Sequence, residues 1–211
     1  MNLFLKSCFL PHTLFMDTFL TIKEPSEGEY KEKGSKFLAF AFQVRTEEQV
    51  KERLDELRKK YYDARHHCYA YQLGQNGELW RANDDGEPNH SAGTPILNQI
   101  KSFNLTDVLV VVIRYFGGTK LGVSGLINAY KTSTQEALEN AEIEEKIITK
   151  VVSFSFDYLG MNDVMKLIKD YDLEIIEQEF TNTCQMKLSV RLAIVEEVEA
   201  KLKDIKEVKM D

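Results

Sequence analysis

The chain has 211 residues, enough for one or two domains of roughly 100–200 residues, and at 43% apolar and 10% aromatic it can bury a core, which excludes a disordered protein. Its net charge of −7 is unevenly placed: residues 1–137 carry 17 Lys+Arg and 17 Asp+Glu, whereas residues 138–211 carry 10 and 17. The C-terminal third is an acidic module, a poor grip for a phosphate backbone, so any nucleic-acid surface falls to the first part.

Residues 1–15 (MNLFLKSCFLPHTLF) are apolar, but Lys6 and Pro11 break the run and no small-residue cleavage site follows. Met16 therefore reads as the natural start, with residues 1–15 an extension outside the folded protein. Lys33-Gly34-Ser35-Lys36 marks a turn within Tyr30–Val44, and the apolar stretch after it reads as a strand. A helix begins at Thr46, which forms a capping box with Gln49, and Val50, Leu54, Leu57 and Tyr61 give it one apolar face. His66 to Leu73 reads as a strand, Asn76-Gly77 as a hairpin turn, and Glu78 to Ala82 as the return strand. Asn83 to Pro95 is a long polar loop, and loops of that length in a compact domain are usually functional. A short helix follows, with Ile96, Leu97 and Ile100 on one side.

The centre of the chain is Asp107 to Gly125. Val108 to Ile113 is a continuous apolar run, as expected of a strand buried on both faces. It delivers Arg114 and two aromatics into a loop with Gly117, Gly118, Gly122 and Gly125, and a helix is predicted from about Ser124 to Asn140. Beyond it, Lys146 to Tyr158 reads as one strand, followed by helix, two strands and helix. That β-α-β-β-α order predicts a small helix-on-sheet domain. The expected organisation is an N-terminal domain over residues 16–142 and an acidic C-terminal domain over 143–211.

Strand, glycine loop and helix is how a chain points backbone N–H groups at an anion. The candidate anion-binding residues are Arg114, Gly117, Gly118, Lys120, Gly122 and Ser124. The alternative is that the glycines merely let a buried strand turn into a packed helix. Neither GxxxxGK[ST] nor GxGxxG is present, and GVSG lacks the spacing of a nucleophile elbow. A second candidate ligand loop comprises His66, Asp84, Asp85, Glu87 and His90. Its carboxylates either cap turns and pair with Arg81, Arg114 or Arg65, or meet a ligand; a hard cation would suit them, but EF-hand spacing is missing. His66, His67 and Cys68 with His90 offer zinc ligands, and Cys68 with His66 a nucleophile pair, set against the plain reading of a packed cysteine and a hydrogen-bonded histidine. Trp80 is either a stacking platform or core. Cys8, Cys68 and Cys184 are widely spaced with no CxxC, which points to free thiols in a reducing cytosol, and no apolar run approaches the ~20 residues that span a bilayer. No cofactor or metal is expected, and the chain is expected to be cytoplasmic.

These residues resemble the YigZ/IMPACT family. The resemblance rests on Gly93, Ile96, Leu97, Ile100, Leu105, Val111, Val112, Arg114-Tyr115-Phe116-Gly117-Gly118, Leu121 and Gly122. It rests also on Asp84-Asp85-Gly86-Glu87-Pro88 with Ala92-Gly93, and on Ala64, His66, Cys68 and Ala70-Tyr71. His90 and Ser124 stand where such chains often carry glycine. The resemblance implies an α+β protein of two domains. The first is similar to the second domain of a small-subunit ribosomal protein, the second to a ferredoxin-like domain of elongation factor G. It further implies a non-enzymatic, translation-linked role, with RNA, the ribosome or a protein of the translation machinery as partner; eukaryotic relatives regulate translation. The alternative is an enzyme acting on a phosphorylated or nucleotide substrate.

Overall fold

A computed structural model of the chain describes residues 17–181 and 183–210. The expectation about residues 1–15 lies outside these. The chain forms two compact units, one over Thr18–Ile147 and one over Ile148 onward together with Asp17.

The first unit is built on a five-stranded antiparallel sheet in the order β2 (Ser26–Glu32), β3 (Ser35–Gln43), β6 (Val108–Tyr115), β4 (His66–Leu73), β5 (Leu79–Asn83). The expected central strand is β6, and its uninterrupted apolar run is explained by two cores. Val108, Val110 and Val112 face one core, shared with α2 (Gly93–Ser102) and α3 (Gly122–Glu139). Leu109, Val111 and Ile113 face the other, closed by Val50, Leu54 and Leu57 of α1 (Glu47–Lys60). The α1 cap is as expected at one end: the Gln49 N–H donates to Thr46 Oγ1 at 3.3 Å. The return bond goes elsewhere, from the Arg45 N–H to Gln49 Oε1 at 2.7 Å. α3 starts at Gly122, two residues before Ser124.

The strand expected over Lys146–Tyr158 is two strands. β7 (Ile143–Ile147) pairs antiparallel with β1 (Thr18–Ile22), whereas β8 (Thr149–Phe156) enters the sheet of the second unit. The change of sheet falls at Ile148, whose N–H donates to the Asp17 carbonyl at 2.6 Å and whose carbonyl accepts from Leu192 N–H at 2.9 Å. The division thus falls after Ile147, beyond the boundary at 142/143 read from the sequence. A fragment of residues 18–147 is expected to unfold cooperatively. One cut back to residue 142 should melt roughly 5 °C or more lower, because β1 loses its ladder. Equal melting temperatures by circular dichroism would place the boundary at 142 after all.

The second unit runs β8, α4 (Met161–Asp170), β9 (Glu174–Phe180), β10 (Cys184–Arg191), α5 (Val195–Asp204), β11 (Val208–Met210), with sheet order β11-β8-β10-β9. This is a ferredoxin-like domain, its helices covering Val152, Phe154, Phe156, Met186, Leu188 and Val190. β11 was absent from the expected order because three residues are too few to show alternation.

Candidate functional site

The loop between β5 and α2 is held by its own carboxylates. Asp84 Oδ1 accepts the N–H groups of Ala92 at 3.0 Å and Gly93 at 2.8 Å, and its Oδ2 accepts His90 N–H at 2.8 Å. It therefore caps α2 from a distance, since Ala92 at the N-cap has no side chain to do so. Asp85 Oδ2 accepts His67 N–H at 2.6 Å, and His66 Nδ1 lies 2.8 Å from the Asp85 carbonyl, so that nitrogen carries the proton. His90 has a φ of 62°, which explains why a glycine suits that position. Its ring turns away to line an open groove of about 320 Å³ with Thr94, Asn98, Ile127 and Lys131.

Glu87 leaves the loop and enters the core. Its Oε1 lies 2.5 Å from Arg114 Nη1 and accepts the Tyr130 hydroxyl at 2.9 Å. Both side chains of the ion pair are more than nine-tenths buried. Tyr130 in turn meets Cys68 Sγ at 3.3 Å, and that thiol lies 3.0 Å from the Asp84 carbonyl. Burial pushes both the Tyr130 hydroxyl and the Cys68 thiol well above their ordinary ranges, so both stay protonated. Of the readings open to the carboxylates, capping describes Asp84 and pairing with Arg114 describes Glu87, whereas Asp85 ties the loop to a backbone N–H of β4. The Cys68–His66 nucleophile pair does not form: the two side chains have separate partners, and a protonated thiol is a poor nucleophile. His67 points to the other face, 6% exposed, and desolvation lowers its pKa. Among the described residues no group of three His, Cys, Asp or Glu could hold a metal ion.

The glycine loop divides into an anchored end and an open end. Gly117 abuts the β2–β3 turn, where a Cβ would lie 1.8 Å from the Gly34 carbonyl carbon, and its N–H donates to Ser35 Oγ at 3.1 Å. Gly118 and Gly122 have φ of 87° and 73°, with no atom within 4 Å of where a Cβ would be. Thr119, Lys120, Gly122, Val123 and Ser124 are exposed. No side chain caps α3 and its first turn has no acidic residue, in contrast to α1 with Thr46, Glu47 and Glu48. Arg114 is spent on Glu87, which leaves Lys120 as the exposed cation of the loop.

Three members of this arrangement were not picked out from the sequence. From the sequence Ser35 reads as a turn residue and Phe116 as one more aromatic in a run, while nothing there singles out Tyr130. Only the motif position of Phe116, between Arg114 and the glycines, carried a signal. Trp80 is 54% exposed with the Lys101 ammonium 4.8 Å from its ring centre, so it is not core.

The family model described as the Impact N-terminal domain matches residues 33–138. The IMPACT family member YvyE of Bacillus subtilis (strain 168) is 33% identical over 175 residues, covering 83% of this chain and 81% of its own length. A Saccharomyces cerevisiae (strain ATCC 204508 / S288c) protein, "Protein IMPACT homolog", is 38% identical over 96 residues, 43% of this chain and 36% of that protein. A crystal structure of a hypothetical protein superposes with a TM-score of 0.70 at 27% identity, covering 92% of this chain and 97% of the other.

Proposed function

The chain belongs to the IMPACT family, and from that premise we propose that it is a translation-linked regulatory module that binds RNA, free or in the ribosome, through the loop from Phe116 to Ser124. The observation that carries this is the start of α3. An 18-residue helix begins there with no capping side chain and no acid in its first turn. Its free N–H groups and dipole favour an anion, and phosphate is the anion that RNA presents. Lys120 stands exposed beside them, and the turn at Gly118 and Gly122 leaves the space above it empty. The role is one of binding: Cys68, His66 and the loop carboxylates are all held by neighbours within the fold.

Lys120→Glu is expected to weaken RNA binding and to flatten its salt dependence, since each phosphate contact contributes about 0.7–0.9 to the slope of log K against log salt. Fluorescence anisotropy with labelled RNA across a salt titration measures both. Affinity and slope equal to those of the wild type would overturn the reading.

A further inference from the structure

Phe116 is one of several large apolar side chains that the fold leaves exposed, and it stands directly before the glycine loop. It is 58% exposed and belongs to neither core of the first unit. Leaving an aromatic ring in water forgoes the burial that normally justifies it. The ring does have a cation beside it. The Arg114 guanidinium lies 5.7 Å from its centre and 5.6 Å from that of Phe37. Glu87 fixes the guanidinium from the other side, in a site where Arg114 is only 8% exposed and its Nε is buried with no partner. A buried cation thus sits against an exposed ring. Gly117 follows directly, then the open turn at Gly118 and the exposed Lys120.

An exposed ring beside a backbone anion seat matches the chemistry of a flat base next to its own phosphate. We infer that the loop takes an unpaired nucleotide of single-stranded RNA, its base stacked on Phe116 and its phosphate on the turn from Gly118 to Gly122. This rests on the anion-binding reading above and adds the class of ligand. A duplex does not fit, because its bases are already stacked on one another and an A-form helix presents edges and hydroxyls instead of base faces. Stacking on an aromatic side chain is sequence-tolerant, so no strong base preference is expected.

The test uses the full chain with a short unstructured RNA strand, a blunt duplex of matching sequence, and adenosine monophosphate as competitor. The single strand should bind more tightly than the duplex. Phe116→Ala should lower single-strand affinity by about 5- to 150-fold with the salt slope unchanged, and Phe116→Trp should restore it. The ring is exposed, so the melting temperature should hold. Wild-type affinity in Phe116→Ala, with Lys120→Glu still weakened, would overturn the stacking seat while leaving the phosphate contact in place. Loss in neither variant would overturn both. A duplex that binds as tightly as the strand, or ready displacement by adenosine monophosphate at equal concentration, would overturn the single-strand assignment.

Discussion

Glu87→Ala is expected to destabilise the first unit by about 3–5 kcal/mol, a large part of a typical domain's stability. The carboxylate is the buried counterion of Arg114 and also accepts the Tyr130 hydroxyl. Removing it strands a guanidinium that is only 8% exposed and already has one unpartnered Nε. The attraction between the two charges is not the source of this figure. Most of it is the penalty of leaving one buried charge alone, which exceeds what the intact pair contributes over a well-packed apolar pair. The distinction is measurable. Glu87→Gln, which keeps the volume and an acceptor for Tyr130, should cost less than Glu87→Ala. Pairing Glu87→Leu with Arg114→Met should recover much of the loss in a double-mutant cycle. Urea denaturation reads each of these variants. A cost below about 1 kcal/mol for Glu87→Ala would mean that water reaches Arg114 and that the pair is a surface contact.

Much of the fold was legible because its elements carry strong local patterns. Burial on two faces leaves Val108 to Ile113 no polar position, so that part of β6 declares itself in the sequence. Thr46 marked the start of α1 because a helix leaves N–H groups that a hydroxyl can accept. The break at Ile148 was not legible. Ile147-Ile148-Thr149 continues a β-branched run without Gly or Pro, and the chain changes sheets there through backbone bonds to Asp17 and Leu192. The site was legible as a list and not as an arrangement. Sequence gives Glu87 three arginines to choose from, and only packing puts Arg114 within reach. Tyr130 sits on an apolar face, where a tyrosine and a phenylalanine look alike until the hydroxyl finds a carboxylate. Exposure of Phe116 is equally invisible, since hydrophobicity alone would place it inside.

The second large effect separates neighbours that look identical in the sequence. Gly117→Ala should destabilise the first unit by about 3 kcal/mol or more, whereas Gly118→Ala should cost about 1–2 kcal/mol. At Gly117 a methyl group would fall 1.8 Å from the Gly34 carbonyl carbon and 2.1 Å from the Ser35 nitrogen. Both are backbone atoms of the β2–β3 turn, so no side-chain rotation relieves the overlap. The turn must move, and with it the Ser35 hydroxyl that accepts Gly117 N–H. At Gly118 the space is empty and only the left-handed backbone, φ 87°, resists a side chain. Denaturation of the two variants should therefore differ by more than about 1 kcal/mol in favour of Gly118→Ala. The order should reverse in RNA binding measured on the folded fraction. Gly118→Ala blocks close approach of phosphate to the open turn, while a Gly117 variant that still folds presents that turn intact. Equal losses of stability would show that the β2–β3 turn yields freely. Gly117 would then be no more an anchor than Gly118, and the division of the loop into a fixed end and an open end would fail.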